Sequence, residues 1–309
     1  MRLLMLVVVV VVLWQGIGLA WRHLVLPRLA ERHLPEAFRM LYGELPDRLR
    51  RSPGREEFRY KGNLNGVPVR IPVSYVWFPM EYCDISIWAP SPDDKPREAR
   101  AYEDAICAFA SYVRWPQMQP RSASPELMRK FWLEREGLGE HPWIMIGVDA
   151  GNYIRSPRPP QAPDNGFARV LRWRLENLPE SSSRYGGDAH YELRGVDTAT
   201  GLHWAEPVGE GVQKYDTWNK VLYWRGDMNG VVTDLFICQN GAFINPKITH
   251  DCTYEFYLHE IRTKISVTFP RRWLPQWREI REATTRMLMQ FVVKGAPSRE
   301  TVSDDQEER

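Results

Sequence analysis

The chain lacks the groupings that carry the common enzyme chemistries. Its 309 residues hold no Gly-x-Ser-x-Gly elbow, no phosphate-cradling glycine loop with a lysine, and no dinucleotide fingerprint. Gly226-Asp227-Met228-Asn229-Gly230 imitates a calcium loop, but its glycine comes two positions early and no glutamate follows at the twelfth place. His259-Glu260 starts a zincin-like string that ends in Thr263 instead of histidine. In His250-Asp251-Cys252 the three side chains are sequence neighbours, which point in different directions along a strand, so a nucleophile with its base is not formed there. These gaps predict no metal, no cofactor and no catalytic centre, with an envelope enzyme or ligand-binding protein as the alternative.

An excess of one charge is missing too. Lysine plus arginine number 41 and aspartate plus glutamate 39, a net +2, which gives no reason to expect a nucleic acid partner. The balance is uneven along the chain: +1 over residues 1–20, +4 over 21–61, zero over 62–294 and −3 over 295–309. Hydrophobic residues make up 43% and charged residues 26%, the composition of a globular body. Thirteen tryptophans exceed the typical usage of about one per hundred residues and are expected in the core and on a contact surface, where Trp and Arg carry much binding energy.

Residues 3–20 hold no charge and include six consecutive valines, Val7 to Val12. At about 1.5 Å per residue such a helix nearly spans the roughly 30 Å hydrocarbon core, so residues 1–21 read as a transmembrane anchor. The alternative is a signal peptide cut before Trp21, with Gly18 and Ala20 at the small-residue positions. Residues 22–59 form a basic juxtamembrane segment, in which Leu34, Phe38, Leu41, Tyr42 and Leu45 recur at helical spacing. Positive charge on Arg22, Arg28 and Arg32 favours a cytoplasmic body by the positive-inside rule.

The four cysteines argue the reverse. Cys238 and Cys252 bracket a short polar segment between two strand-like runs, as a disulfide tying neighbouring strands would, and Cys83 with Cys107 completes an even set. Buried free thiols are the plainer reading of the same residues. Two disulfides place the body in an oxidising compartment, a bacterial periplasm, with the chain single-pass in the inner membrane.

From residue 60 the text is mostly β. Val67, Val69, Ile71 and Val73 alternate with Pro68, Arg70 and Pro72, an edge-strand pattern. Tyr75–Phe78, Ile85–Trp88, Ala105–Val113 and Trp143–Val148 follow as strands, with a helix over Pro125–Glu136 carrying proline in its first turn. Four prolines within 156–166 mark a boundary, and Phe167–Leu178 reads as a lone strand or helix. Strands are then expected at Tyr191–Val196, Thr200–Trp204, Val221–Trp224, Val231–Cys238, Tyr254–Leu258 and Ile265–Phe269, with short turns that favour antiparallel pairing. Leu274, Trp277, Ile280, Met287 and Phe291 define an amphipathic helix ended by Gly295, before a polar acidic tail, 295–309, expected to be disordered.

Two Asn-Gly turns echo each other, Asn65-Gly66 and Asn229-Gly230, each within a Gly-[Asn/Asp]-apolar-Asn-Gly-Val string. The expected fold class is therefore α+β: mainly antiparallel sheets with covering helices, arranged as two related halves, 60–155 and 167–294, behind one N-terminal transmembrane helix.

Asn65-Gly66-Val67-Pro68-Val69-Arg70-Ile71-Pro72, Val113-Arg114-Trp115-Pro116, Asn229-Gly230-Val231-Val232-Thr233, Cys252-Thr253-Tyr254-Glu255-Phe256 and Leu274-Pro275-Gln276-Trp277-Arg278-Glu279-Ile280 together resemble the membrane-tethered immunity and accessory proteins of bacterial type VI secretion effectors, lipase-type ones in particular. The resemblance covers most of residues 60–293 through loose, structural motifs. It implies a periplasmic, non-enzymatic protein whose partner is a cognate secreted effector. The N-terminus has no lipobox cysteine, so tethering would fall to residues 3–20. A structural accessory subunit of an envelope machine is a further reading.

Overall fold

The structure, a computed structural model, describes residues 59–77, 80–84, 100–136, 141–151, 166–210, 212, 219–240 and 250–294. The expected anchor at 1–21, the segment 22–58, the strand at Ile85–Trp88 and the tail 295–309 lie outside the described residues. Among those described, no helix is long and apolar enough to cross a membrane.

The architecture is α+β and mainly antiparallel. A hairpin of β1 (Arg59–Leu64) and β2 (Val67–Pro72) forms a two-stranded sheet. A second sheet of ten strands contains β3 (Glu81–Tyr82), β4 (Ile106–Arg114), β5 (Gln119–Pro120), β6 (Trp143–Asp149), β7 (His190–Val196), β8 (His203–Val208), β9 (Lys220–Gly226), β10 (Val232–Gln239), β11 (Asp251–Leu258) and β12 (Thr263–Pro270). Its order is β3-β4-β6-β12-β11-β10-β9-β8-β7, with β5 paired to β4. Strands of the 60–155 span and of the 167–294 span thus lie in one sheet, joined where β6 pairs with β12 from Met145↔Thr268 to Asp149↔Lys264.

Three helices cover this sheet: α1 (Pro125–Glu136), α2 (Gly166–Ser183) and α3 (Trp277–Met289). Because side chains alternate along a strand, the register assigns each helix to a face. Leu222, Trp224 and Leu235 point to one face and pack with Phe167, Ala168 and Leu171 of α2. Tyr112 and Trp143 share that face and meet Phe131 of α1. Phe236 and Tyr254 point the other way, and Trp277 of α3 packs edge-on against both, with centroids 5.7 and 6.1 Å away. Leu274, Trp277, Ile280, Met287 and Phe291 are all buried, but the helix is shorter than expected: Leu274 lies in a 3₁₀ segment, Arg271–Gln276, that contains Pro275, and α3 ends at Met289, before Phe291 and Gly295.

A buried carboxylate fastens α3 to the sheet. Asp234 of β10 has no exposed surface, accepts hydrogen bonds from the Tyr254 hydroxyl at 2.5 Å and Arg281 Nη1 at 2.8 Å, and its second oxygen takes the Thr233 hydroxyl at 2.7 Å. Burial, with the Asp234 charge beside it, holds the Tyr254 phenol well above its ordinary range, so it stays protonated and donates. The Arg281 guanidinium also lies 5.0 Å from the Phe256 ring centroid.

Both expected cysteine pairs are bonded. Cys238 and Cys252 are direct cross-strand partners of β10 and β11 with Cα atoms 4.0 Å apart, and Cys83 joins Cys107 at 4.9 Å. Closing 14 and 24 residues respectively, each removes about 3 kcal/mol of unfolded-chain entropy.

Three local readings differ from the sequence pattern. Tyr75 ends a 3₁₀ turn, Val73–Tyr75, held by the Ser122 hydroxyl donating to the Ser74 carbonyl, where a strand was expected. β8 starts at His203 instead of Thr200, because the Asp197 carboxylate captures the Thr200 amide and hydroxyl in a turn. The two Asn-Gly turns are also not alike. Asn65 and Gly66 both take positive φ, 49° and 86°, as a two-residue hairpin requires, whereas in the β9–β10 connection the positive φ falls on Gly226 at 105°.

Removing Arg281 while leaving Asp234 buried should be costly. Arg281→Met is expected to lower unfolding free energy by about 2 kcal/mol, and Tyr254→Phe by about 1 kcal/mol, in urea titration. Equal, negligible effects of both would show that Asp234 does not hold α3.

Candidate partner-binding surface

The sheet face beneath α1 and α2 is not wholly covered. On β11 and β12 the residues facing α3, such as Tyr254, Phe256, Ile265 and Val267, are fully buried, while their alternating neighbours Thr253, Glu255, Tyr257, Lys264, Ser266 and Thr268 are half-buried. On β6 and β4 the same face continues through Met145, Gly147 and Asp149, then Ala108 and Ala110. The result is a strip of small and polar side chains with α1 packed on its β4–β6 flank and α2 on its β8–β10 flank.

Its floor is tight at the centre. A Cβ on Gly147 would lie 2.5 Å from the Ser266 hydroxyl, so glycine is what lets β6 and β12 pair with a serine pointing across. Charge is concentrated at one end. Lys264 sits 3.5 Å from Glu255 and 3.9 Å from Asp149, and Glu81 of β3 lies on the strip's outer margin. Burial and the Asp149 charge raise the Glu81 carboxyl above its ordinary range.

α1 forms one wall. Its Phe131 ring is fully buried between Tyr112 at 5.0 Å and Trp143 at 5.2 Å. Glu134 accepts from Trp143 Nε1 at 2.8 Å and from Arg114 Nη2 at 3.3 Å, fixing the helix to β4 and β6. Arg121 lies 5.0 Å from the Phe131 ring centroid, and Arg135 lies 4.5 Å from that of Tyr112. Burial pulls the Arg121 guanidinium down to about 9 and pushes the Tyr112 phenol up. With the helix so pinned, Trp132 is half-buried, Arg135 is exposed and Leu133 is 68% exposed. Leu133 lies on the side of the helix turned away from Phe131, whereas Trp132 and Arg135 are of the residue types enriched among interface anchors.

At the same end of the sheet, His141, His250 and Asp251 come together. Burial raises the Asp251 carboxyl, opposed by His141, Arg135 and His250, and lowers His141, opposed by Asp251. Asp251 Oδ1 and His250 Nδ1 are both buried without a hydrogen-bond partner. Cys252, beside them, is committed to its disulfide and offers no thiolate.

The residues singled out from sequence fall elsewhere. Asn65 ties the hairpin tip to the body, its side-chain amide donating to the carbonyls of Arg262 at 2.6 Å and Ala150 at 3.2 Å. The Gly66 backbone amide donates to the Asn63 side-chain carbonyl at 3.0 Å. Asn229 and Gly230 sit in the β9–β10 connection, where the Asn229 amide donates to Asp227 at 2.9 Å. No group of three or more metal-ligating side chains occurs among the described residues. The strip and Leu133 were missed, although two signals existed: the alternating polar positions of 251–258 and 263–270, and a leucine out of phase with Phe131.

Fold and surface define an α+β protein built on a ten-stranded antiparallel sheet beside a two-stranded hairpin, with helices on both faces and, among the described residues, a half-buried strip on one face. No protein-family model matches the chain, and no curated protein does. One solved structure similar to it is that of Smlt3025, an immunity protein of the Stenotrophomonas maltophilia type IV secretion system. The two are 14% identical, the match covers 79% of this chain and 98% of the other, and the TM-score is 0.47.

The histidine gives a pH signature. His141 is held below its unfolded value near 6.5, so its neutral form is favoured in the fold. That contribution is complete above 6.5 and is lost as pH falls from 6.5 towards the folded value. Wild type should lose stability over this interval in thermal melts, and His141→Gln should lose less. An unchanged slope in the variant would assign the loss to other groups.

Proposed function

We propose that this protein is an immunity protein that binds a secreted antibacterial toxin and blocks its activity. The observation that carries the reading is the half-buried strip of the sheet flanked by α1, which bears Trp132 and Arg135, on a disulfide-tied sheet. Small residues let a partner approach the backbone, and the neighbouring Trp132 and Arg135 are of the types that dominate interfaces. Glu81, Asp149 and Glu255 against Lys264 favour a toxin segment bearing cationic side chains. The sequence resemblance supports the same assignment and adds the finer identity: a type VI effector of the phospholipase type. It also supports a periplasmic body tethered to the inner membrane through residues 3–20. An enzyme or ligand-binding role is the second reading, favoured by the buried, unpartnered atoms of Asp251 and His250.

Deleting the gene while the neighbouring effector locus stays intact should make cells sensitive to their kin. Wild type should restore protection, and Trp132→Ala with Leu133→Asp should fail to do so while remaining folded in thermal melts, with toxin affinity at least about tenfold weaker. Protection by a folded double variant would remove α1 from the interface, and absence of intoxication in the deletion would remove the immunity reading. In intact cells a membrane-impermeant maleimide should label the cysteines only after reduction. Labelling without reductant, and only after lysis, would put the body in the cytoplasm.

A further inference from the structure

The charges of the half-buried strip are sorted by sign to its two ends. Between them, Thr253 of β11, Ser266 and Thr268 of β12, Met145 and Gly147 of β6 and Ala110 of β4 carry none.

One end is acidic. Asp149 stands opposite Lys264 of β12 and Ala108 of β4, and Ala108 stands opposite Glu81 of β3, so the register puts these side chains on one face. Lys264 Nζ lies 3.5 Å from Glu255 and 3.9 Å from Asp149, longer than hydrogen bonds to either. After burial, the Asp149 charge is the second cause that raises the Glu81 carboxyl, so the ammonium leaves these carboxylates repelling one another.

The other end is basic. Asp251, on the same face of β11 as Glu255, meets Arg135 from the end of α1, His141 from the chain before β6 and its neighbour His250. Arg121 is 3% exposed and adds its charge to that of Arg135, although burial lowers it to about 9. Glu134 is taken by Trp143 and Arg114. Two guanidiniums therefore face one carboxylate, whose charged form burial disfavours. Arg135 is the exposed member: its guanidinium rests 4.5 Å from the Tyr112 ring centroid and joins no carboxylate ion pair among the described residues.

Strand geometry sets the separation of the ends. At about 3.3 Å per residue, Asp251 and Glu255 are about 13 Å apart along β11, and Trp143 and Asp149 about 20 Å along β6. A segment with one charge of each sign, laid along the strip, meets the opposite sign at both ends in one direction and like charge at both in the other.

We propose that the toxin segment seated here carries a lysine or arginine over Glu81, Asp149 and Glu255 and a carboxylate over Arg135, about 13–20 Å away, and binds in that direction only. This partner chemistry rests on the immunity reading above, and adds a carboxylate and a fixed direction to the cationic segment named there.

Titration calorimetry with the full-length chain in detergent and the effector of the neighbouring locus provides the test. Arg135→Gln should weaken binding at least about fivefold, as should the double variant Glu81→Gln, Glu255→Gln, while Arg135→Lys should keep most of the affinity. Lys264→Met, which removes the resident ammonium from the acidic end, should bind at least as tightly as wild type. Wild-type affinity in Arg135→Gln or in the carboxylate pair, or weaker binding by Lys264→Met, would each overturn the proposal. Arg135→Lys binding no better than Arg135→Gln would overturn it too. If Arg135→Gln does not melt as a folded protein, the carboxylate pair and Lys264→Met decide. A wild type that does not bind the effector removes the immunity reading and this partner chemistry with it, whereas binding that ignores the charge changes removes only the latter.

Discussion

The fold depends on the pairing of β6 with β12. β3, β4, β5 and β6 come from the first part of the chain and β7 to β12 from the second, and among the described residues the Met145–Asp149 and Thr268–Lys264 ladder is what makes them one sheet. The ladder closes a long stretch of chain, so its entropic cost must be offset by packing on both sides. On one side Ile144, Ile146, Ile265 and Val267 are fully buried, which supplies the apolar gain. On the other, Gly147 admits the Ser266 side chain and Lys264 approaches Asp149. The joint is thus apolar beneath and small and polar above, and its upper side is the strip assigned to partner binding.

The fastenings around this seam divide the labour. The Cys238–Cys252 bond fixes β10 to β11 at one end of the sheet, and Cys83–Cys107 ties the residue after β3 to β4 at its margin. Asp234, Tyr254 and Arg281 lock α3 across the buried face. Glu134 locks α1 across the open one. A surface held in this way loses little conformational entropy on binding, which is how a shallow face can reach useful affinity.

Much of this was legible in the residues. The period-two alternation of 251–258 and 263–270, the proline at the start of α1 and the 3,4,7 spacing of α3 each gave the right element, because local pattern and final burial agree there. Phe167–Leu178 stayed ambiguous as strand or helix, and only packing of Phe167, Ala168 and Leu171 onto the sheet decides for helix. The strand order was not legible, since β6 and β12 are separated by more than a hundred residues and no local signal encodes their meeting. Nor was the link between Asp234 and Arg281, 47 residues apart. Asn229-Gly230 misled for a physical reason: Gly226 supplies the positive φ there, so the dipeptide need not. The partner surface was hidden because its evidence is an uncovered face, which exists only once the helices are placed.

The central claim is that the open strip and α1 are where the toxin docks. Hydrogen–deuterium exchange of the full-length protein, with and without its cognate effector, addresses it most directly. Slower exchange is predicted in α1, β4, β6 and the β11–β12 hairpin, with α3 on the opposite face unchanged. Protection confined to α3, or none at saturating effector, would contradict the account.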